Sequence, residues 1–188
     1  MIWTSFGTFF AWKPALLLLL GVAAIWAAMH YTLGKNPYGY RGLGDLSVFI
    51  FFGLTSVLGA YFVVAHTIDS LLLILPAVTI GCFSVAVLNV NNIRDMESDA
   101  GNRVTIPLKF GALNAKIYQT VLIVFAWLCM LLFTLMTYTS AWNFLYLITL
   151  PLYMIHLKMV WSRNGKALDP ALPLLVLSTF AFALLAGI

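Results

Sequence analysis

Long apolar stretches alternate with short polar connections along the whole chain. Six such stretches stand out, at residues 14–33, 46–65, 70–90, 117–138, 142–160 and 171–188. Each runs close to the roughly 20 apolar residues that an α-helix needs to cross the hydrocarbon core of a bilayer. The pattern therefore predicts an all-α integral membrane protein with six transmembrane helices.

Composition supports this prediction and excludes a soluble globule. Of the 188 residues, 63% are hydrophobic and 9% are charged, whereas soluble domains average roughly 45–50% and 25%. So few charges would leave most of a soluble surface apolar. Intrinsic disorder is excluded as well, because disordered chains have low hydrophobicity.

The basic residues indicate an orientation in the membrane. The chain carries ten Lys and Arg against six Asp and Glu, a balance that in a soluble protein could suggest nucleic-acid binding. Nine of the ten basic residues fall in or beside the first, third and fifth connections. By the positive-inside rule these connections face the cytoplasm. We therefore expect a multi-pass protein of the inner membrane, with its charged face towards the cytoplasm and no nucleic-acid partner.

The third connection carries the strongest chemical pattern. Asn91, Asp95 and Asp99 are spaced four residues apart, which places them on one face if the preceding helix continues. Two carboxylates one turn apart repel each other unless a cation lies between them. Mg²⁺ suits the arrangement, because it uses one or two carboxylates and takes further ligands from phosphates. The alternative is a solvated loop in which acids and bases neutralise one another.

The first connection, residues 31–45, has several glycines and a proline, so an irregular backbone is expected. Lys35 and Arg41 could meet the acidic residues across a shared cavity. Arg103 and Lys109 could then supply charge-assisted contacts to phosphate oxygens. The alternatives are an ordinary interhelical turn and, for these basic side chains, simple anchoring at the membrane surface.

The remaining residues carry weaker signals. His30, His66 and His156 lie near the ends of apolar stretches without a carboxylate at ligand spacing, and interfacial positions are expected for them. The many Phe, Trp and Leu side chains are expected to face lipid or to pack between helices. They could also line a tunnel for an isoprenoid tail, and the sequence pattern does not distinguish these roles.

Two rival classes of membrane protein fit less well. Metal-dependent transferases of the phosphatidyl-alcohol type usually show D-x-x-D-G followed by A-R, and this sequence has neither. A channel, carrier or scaffold subunit would place charges within its spanning segments along a pathway. Here the charges collect on one membrane face, which favours chemistry on a headgroup.

Several motifs together resemble a known family. The stretch from Asn89 to Asp95, followed by Asp99 and the loop 101–111, resembles the second aspartate-rich motif of UbiA-type intramembrane prenyltransferases. Tyr31 and Lys35 fit the Y-x-x-x-K spacing of that superfamily. The run 42–53 is similar to its menaquinone branch, the 1,4-dihydroxy-2-naphthoate polyprenyltransferases. The resemblance covers essentially the whole chain.

The resemblance implies a UbiA-like bundle of about nine helices with two aspartate-rich motifs. Six apolar stretches and the second motif are present here. We therefore expect residues 1–188 to form a single, partial transmembrane prenyltransferase domain, the C-terminal two-thirds of such a bundle. The first motif would lie upstream or on a second polypeptide, and truncation is the favoured interpretation.

The resemblance also implies a reaction and its residues. A polyprenyl group would pass from polyprenyl diphosphate to 1,4-dihydroxy-2-naphthoate, with loss of CO₂ and diphosphate. Mg²⁺ would be held by Asp95, Asp99 and Asn91, which with Lys35 would form the catalytic set. Diphosphate would bind Arg94, Arg103, Lys109, Tyr31 and Arg41, and substrate would also contact Asn89 and Asn92. The alternatives are another membrane aromatic prenyltransferase, of the ubiquinone, haem or chlorophyll type, and a non-catalytic membrane subunit.

Overall fold

The computed structural model describes residues 12–33, 37, 39 and 41–187. The regular secondary structure of this part of the chain is helical, apart from one isolated β-bridge between Arg41 and Val104. The first half comprises α1 (Trp12–Thr32), α2 (Gly44–Val48), a π-helical segment (Phe49–Thr55), α3 (Ser56–Ala65), a 3₁₀ turn (Leu71–Leu73) and α4 (Ile74–Arg94).

The second half begins with two short helices in the third connection. In order it comprises α5 (Met96–Asp99), α6 (Ile106–Phe110), α7 (Ala112–Met136), a 3₁₀ helix (Ala141–Thr149) that leads into α8 (Leu150–Ser162), a 3₁₀ turn (Gly165–Leu168) and α9 (Ala171–Ala186).

Five helical stretches of the described chain are long and apolar enough to cross a membrane: Gly44–Ala65, Leu71–Arg94, Ala112–Met136, Ala141–Ser162 and Gly165–Ala186. Helix α1 contributes a shorter apolar segment, Leu18–Tyr31. The predicted all-α membrane fold is therefore confirmed, and the number of six spans stays a prediction.

An aromatic cluster packs between α4, α7, α8 and α9. Phe83 and Phe182 are almost completely buried, and their ring centroids lie 5.1 Å apart. Tyr153 packs 4.6 Å from Phe83, and Trp127 packs 5.4 Å from Phe182. Such edge-to-face and tilted pairs stabilise beyond their buried area. The cluster makes α4 a rigid support for the polar residues at its C-terminal end.

The π-helical segment crosses α4 at two glycines. A Cβ atom added to Gly53 would lie 2.5 Å from the Cα of Gly81 and 2.9 Å from the carbonyl oxygen of Ala77. Small residues at helix crossings in membranes allow backbones to approach this closely. The contact holds the first connection and α2 beside the end of α4.

Polar side chains buried between helices tie α4 to the second half of the chain. The Nδ2 of Asn89 donates to Gln119 Oε1 (2.8 Å), Gln119 Nε2 donates to His156 Nε2 (3.0 Å), and His156 Nδ1 donates to the carbonyl of Ala171 (3.0 Å). His156 is completely buried, so its expected interfacial position was wrong. The reason is that α7 and α9 supply both of its ring nitrogens with partners.

Two further contacts join the third and fifth connections at the same end of the bundle. Lys116 is buried in the first turns of α7, and its Nζ donates to the carbonyl of Arg163 and to Asn164 Oδ1. Arg94 Nη1 lies 3.5 Å from a carboxylate oxygen of Asp169. Lys116 therefore fastens two helices together.

Candidate active site

The first and third connections meet around one polar cavity. The β-bridge between Arg41 and Val104 joins the two loops, and they enclose a cavity of about 350 Å³. Its polar and charged lining comes from the end of α1, the start of α2, the last turns of α4 and the 103–109 segment: Tyr31, Arg41, Asp45, Asn92, Arg103, Thr105 and Lys109. The tertiary structure thus concentrates three cationic side chains in one place.

Glycines in the first connection make room for Tyr31. A Cβ atom on Gly39 would lie 2.7 Å from the carbonyl oxygen of Tyr31, and one on Gly44 would lie 3.1 Å from its hydroxyl oxygen. Gly42 has φ +84°, a conformation that glycine adopts without steric cost. These glycines therefore let the loop fold closely over the tyrosine at the cavity edge.

The acidic motif follows the end of α4 as a nearly continuous helix. The backbone N–H of Asp95 donates to the carbonyl of Asn91 (3.0 Å), and that of Asp99 donates to the carbonyl of Asp95 (2.9 Å). Arg94 lies against this stripe. Its Nε and Nη2 donate to the two carboxylate oxygens of Asp95 at 2.8 and 2.7 Å, and its Nη2 also donates to Asn91 Oδ1 at 2.7 Å.

Electrostatics favour the ionised form of Asp95. The hydrogen bonds from the Arg94 guanidinium lower the pKa of the Asp95 carboxyl below its usual value, and the positive charges of Arg94 and Arg103 act in the same direction. A carboxylate oxygen of Asp99 lies 3.6 Å from Nε of Arg103. Because Arg103 lines the polar cavity, this ion pair connects the acidic motif to it.

The donor set of this motif fits magnesium. No group of three or more His, Cys, Asp or Glu residues within metal-binding reach occurs in the described part of the chain, but Mg²⁺ needs only one or two carboxylates when phosphates and water complete its shell. Asp95, Asp99 and Asn91 offer hard oxygen ligands on successive turns. In this structure Arg94 supplies the compensating positive charge for Asp95 and donates a hydrogen bond to Asn91.

The structure brings some predicted site residues together and separates others. Five line the polar cavity: Tyr31, Arg41, Asn92, Arg103 and Lys109. Five others are absent from its described lining: Asn89, Asn91, Arg94, Asp95 and Asp99. Asn89 is completely buried and hydrogen-bonds to Gln119 and to the carbonyl of Ala115. Lys35 lies outside the described residues.

Two cavity residues were missed by sequence reasoning. The Oδ2 of Asp45 and the Oγ1 of Thr105 are buried and have no hydrogen-bond partner among the described residues, and both side chains line the polar cavity. The available signal was the rarity of acids, since Asp45 is one of only six in the chain. Thr105 carries no comparable signal.

Two largely apolar cavities adjoin the polar one. The first, of about 480 Å³, shares Leu88 with the polar cavity and also includes Asn91. The second, of about 560 Å³, shares Tyr31 with the polar cavity and Val48 and Phe52 with the first apolar one. A ligand with a charged head and a long apolar tail matches this succession of polar and apolar space.

Comparisons with known proteins agree with this geometry. Residues 1–186 match the UbiA prenyltransferase family. The chain is 42% identical over 176 residues to the 1,4-dihydroxy-2-naphthoate octaprenyltransferase of Haemophilus influenzae. The aligned region covers 89% of this chain and 57% of that protein. The chain is 45% identical over 136 residues to the Escherichia coli protein of the same name, covering 72% of this chain and 44% of that protein.

A more distant relative is the UbiA prenyltransferase domain-containing protein 1 of Dictyostelium discoideum, 33% identical over 113 residues, or 60% of this chain and 34% of that protein. No solved structure matches the chain. The chain spans about half the length of these two bacterial relatives. The match over nearly all of its residues shows that the chain belongs to the UbiA prenyltransferase family.

Proposed function

We propose that this chain contributes the diphosphate-binding half of a site that transfers a polyprenyl group to 1,4-dihydroxy-2-naphthoate, releasing CO₂ and diphosphate. The observation that carries the proposal is the cationic cavity, which lies beside the acidic motif and adjoins apolar cavities. The names of the two bacterial octaprenyltransferases support the choice of aromatic acceptor.

The cationic side chains bind the diphosphate. Arg41, Arg103 and Lys109 line one cavity, and charge-assisted hydrogen bonds from such groups to phosphate oxygens are strong. Lys35 would add a fourth cation from the same connection. Negative charge grows on the departing diphosphate as the allylic C–O bond breaks, so these groups stabilise the transition state more than the ground state.

Asp95, Asp99 and Asn91 would hold magnesium at the edge of this cavity. When bound, Mg²⁺ neutralises charge on the diphosphate and polarises its oxygens. Arg94 and Arg103 already contact Asp95 and Asp99 respectively. They hold the carboxylates in place and supply further positive charge near the diphosphate.

The apolar cavities receive the prenyl tail and exclude water. After the C–O bond breaks, the allylic cation is attacked by the electron-rich naphthoate ring at the carbon that bears the carboxylate. The new C–C bond takes its electron pair from the ring, and loss of CO₂ returns an electron pair and restores aromaticity. Water would otherwise capture the cation, so apolar side chains such as Leu88 and Phe52 protect the reaction.

The proposal includes a location. The three basic connections face the cytoplasm in the orientation that the positive-inside rule predicts, and bacterial relatives support an inner membrane. The polar cavity is built from the first and third of these connections, so diphosphate and naphthoate would enter from the cytoplasm.

The test is a membrane assay with Mg²⁺, a prenyl diphosphate and 1,4-dihydroxy-2-naphthoate, in a host that lacks its own copy of the enzyme. The chain is expressed together with the upstream segment of a bacterial relative. Formation of a prenylated 1,4-dihydroxynaphthalene is expected, detected as the naphthoquinone after oxidation by air. Prenylation of a different aromatic acid in place of naphthoate would keep the transferase and overturn the assigned acceptor, and no transfer to any aromatic acid would overturn the function.

A further inference from the structure

We propose that the Asp45 carboxylate binds the aromatic acceptor by accepting a hydrogen bond from one of its ring hydroxyl groups. This inference rests on the proposed function and deepens it, since it names the protein group that distinguishes a hydroxylated aromatic acid from other aromatic acids.

The first observation is an incompletely satisfied carboxylate. Asp45 lies at the start of the membrane span Gly44–Ala65, where Tyr118 of α7 is its neighbour. Its Oδ2 is buried without a hydrogen-bond partner among the described residues. Leaving a buried acceptor unpaired costs free energy, more so for a charged group, so a ligand that donates a hydrogen bond is favoured here.

The second observation is where this oxygen lies. Asp45 lines the polar cavity together with Arg41, Arg103 and Lys109. The ion pairs of the described residues include none between Asp45 and these three side chains. Tyr118 on the neighbouring helix lies beside the side chain. Because the Oδ2 of Asp45 has no hydrogen-bond partner among the described residues, it is available to a molecule in the cavity.

The charges of the cavity select the kind of ligand group. A diphosphate repels a carboxylate and has no proton to donate at neutral pH. A divalent cation is disfavoured by the three cationic side chains, and no other carboxylate occurs among the described residues that line this cavity. A phenolic hydroxyl is neutral and donates a hydrogen bond, so it satisfies Asp45 without these penalties.

The apolar part of the lining agrees with a flat aromatic ligand. Leu88 and Ile106 border the same cavity as Asp45, and the ring of Phe110 lies there beneath the ammonium group of Lys109, 5.3 Å from its centroid. A ring held between these side chains would have its carboxylate attracted by the cations and a hydroxyl directed to Asp45. The two ends of the acceptor would thus be recognised by opposite charges.

The experiment measures binding by the whole 188-residue chain in lipid nanodiscs, without turnover and under anaerobic conditions. The probes are 1,4-dihydroxy-2-naphthoate and 1,4-dimethoxy-2-naphthoate, which keeps the ring and the carboxylate and cannot donate from the ring oxygens. Geranyl diphosphate with Mg²⁺ is the third probe. The variants are Asp45→Asn and, as the matched control, Asp69→Asn. Asp69 is likewise an aspartate beside a tyrosine, Tyr61, and it is absent from the described lining of the polar cavity.

For the wild-type chain and Asp69→Asn, we expect the dihydroxy acid to bind about 10- to 100-fold more tightly than the dimethoxy acid, the range for a hydrogen bond to a charged group. Asp45→Asn should remove most of this preference and leave binding of geranyl diphosphate unchanged. If Asp45→Asn does not give a monodisperse protein, Asp45→Ser takes its place and the same comparison decides.

The other outcomes separate this inference from the proposed function. If the Asp45 variant still prefers the dihydroxy acid, the inference is overturned and the function stays intact. The same holds if the variant keeps this preference and instead loses Mg²⁺-dependent binding of geranyl diphosphate, which would make Asp45 a metal ligand. Absence of any preference in the wild type overturns the inference alone. Absence of binding by all three probes overturns both.

Discussion

Arg94 is the residue whose position most changes the interpretation of the acidic motif. It donates to both carboxylate oxygens of Asp95 and to the amide oxygen of Asn91, and it reaches towards Asp169 in the fifth connection. These hydrogen bonds lower the pKa of Asp95, so the carboxylate is ionised at neutral pH. The Asp95 carboxylate is thus charged and held in position before a metal ion binds.

The first prediction concerns these carboxylates. Asp95→Asn or Asp99→Asn, in the chain expressed together with the upstream segment of a bacterial relative, should lower kcat by about 100-fold or more, the usual cost of removing a group that stabilises transition-state charge. Prenyl transfer in isolated membranes is the measurement, with protein amount determined by immunoblot.

Glu97 provides the matched control for this prediction. It lies between the two aspartates on α5, and its side chain is exposed. Glu97→Gln should retain near-normal activity. Comparable losses in all three variants would indicate a general effect of charge in the loop, and full activity in both aspartate variants would refute the metal assignment.

At the scale of helices, the site depends on how closely the π-helical segment approaches α4. Gly53 and Gly81 allow backbone contact at the crossing, and the segment leads directly from α2, where Asp45 lies. π-Helical turns disturb the regular hydrogen-bond ladder and often occur at functional sites. This crossing therefore sets the distance between the Asp45 loop and the polar end of α4.

The second prediction tests this crossing. Gly53→Ala should lower the free energy of unfolding by about 1–3 kcal/mol, the range for overpacking, because the added Cβ would meet backbone atoms 2.5–2.9 Å away. Gly59→Ala is the control, since a Cβ at Gly59 meets nothing within 4 Å. Thermal unfolding in detergent should show a lower Tm for Gly53→Ala alone, and equal Tm values for the two variants would contradict the prediction.

At the scale of the whole molecule, the charged connections gather at one end of the bundle. Lys116 binds the loop after α8, and Arg94 approaches Asp169, so the third and fifth connections are neighbours. The loops after α3 and α7 lie at the other ends of their helices and carry no Lys or Arg. This arrangement leads to a clear expectation for membrane topology.

The third prediction is that topology. With the native cysteines Cys82 and Cys129 replaced by alanine, cysteines introduced at positions 41, 103 and 166 should react with a membrane-impermeant maleimide only from the cytoplasmic side. Cysteines at positions 68 and 140 should react from the opposite side. Labelling of position 103 from the outside would reverse both the orientation and the side from which substrate enters.

The fourth prediction concerns the chain by itself. We expect the 188-residue polypeptide alone to be inactive as a prenyltransferase, because one acidic motif can coordinate only one side of a diphosphate with its metals, and Mg²⁺ requires a nearly complete octahedral shell. Supplying the upstream segment of a relative, on the same chain or separately, should restore activity. Prenylated naphthoquinone made by the 188-residue chain alone would show that one motif, or two copies of it in a homodimer, suffices.

The features that could be predicted from the sequence depend on interactions between residues close together in the chain. Stretches of about 20 apolar residues have few alternatives to membrane-spanning helices, so the helical fold could be predicted, although helix ends moved by up to several residues. The four-residue spacing of Asn91, Asp95 and Asp99 depends only on helical rise, and the backbone hydrogen bonds of this segment agree with it. The motifs also identified the family, which the comparisons confirm.

Only the tertiary structure decided which side chains meet. Arg94 and Asp169 are more than 70 residues apart in sequence, and Arg41 and Val104 are more than 60 apart; no local pattern encodes such pairs. The burial of His156 between α7 and α9 is of the same kind. Apolar stretches of similar composition do not specify which faces pack together, because many pairings bury similar area in a membrane. The choice depends on close fits such as the crossing at Gly53 and Gly81, and these fits place the cationic residues and Asp45 around one cavity.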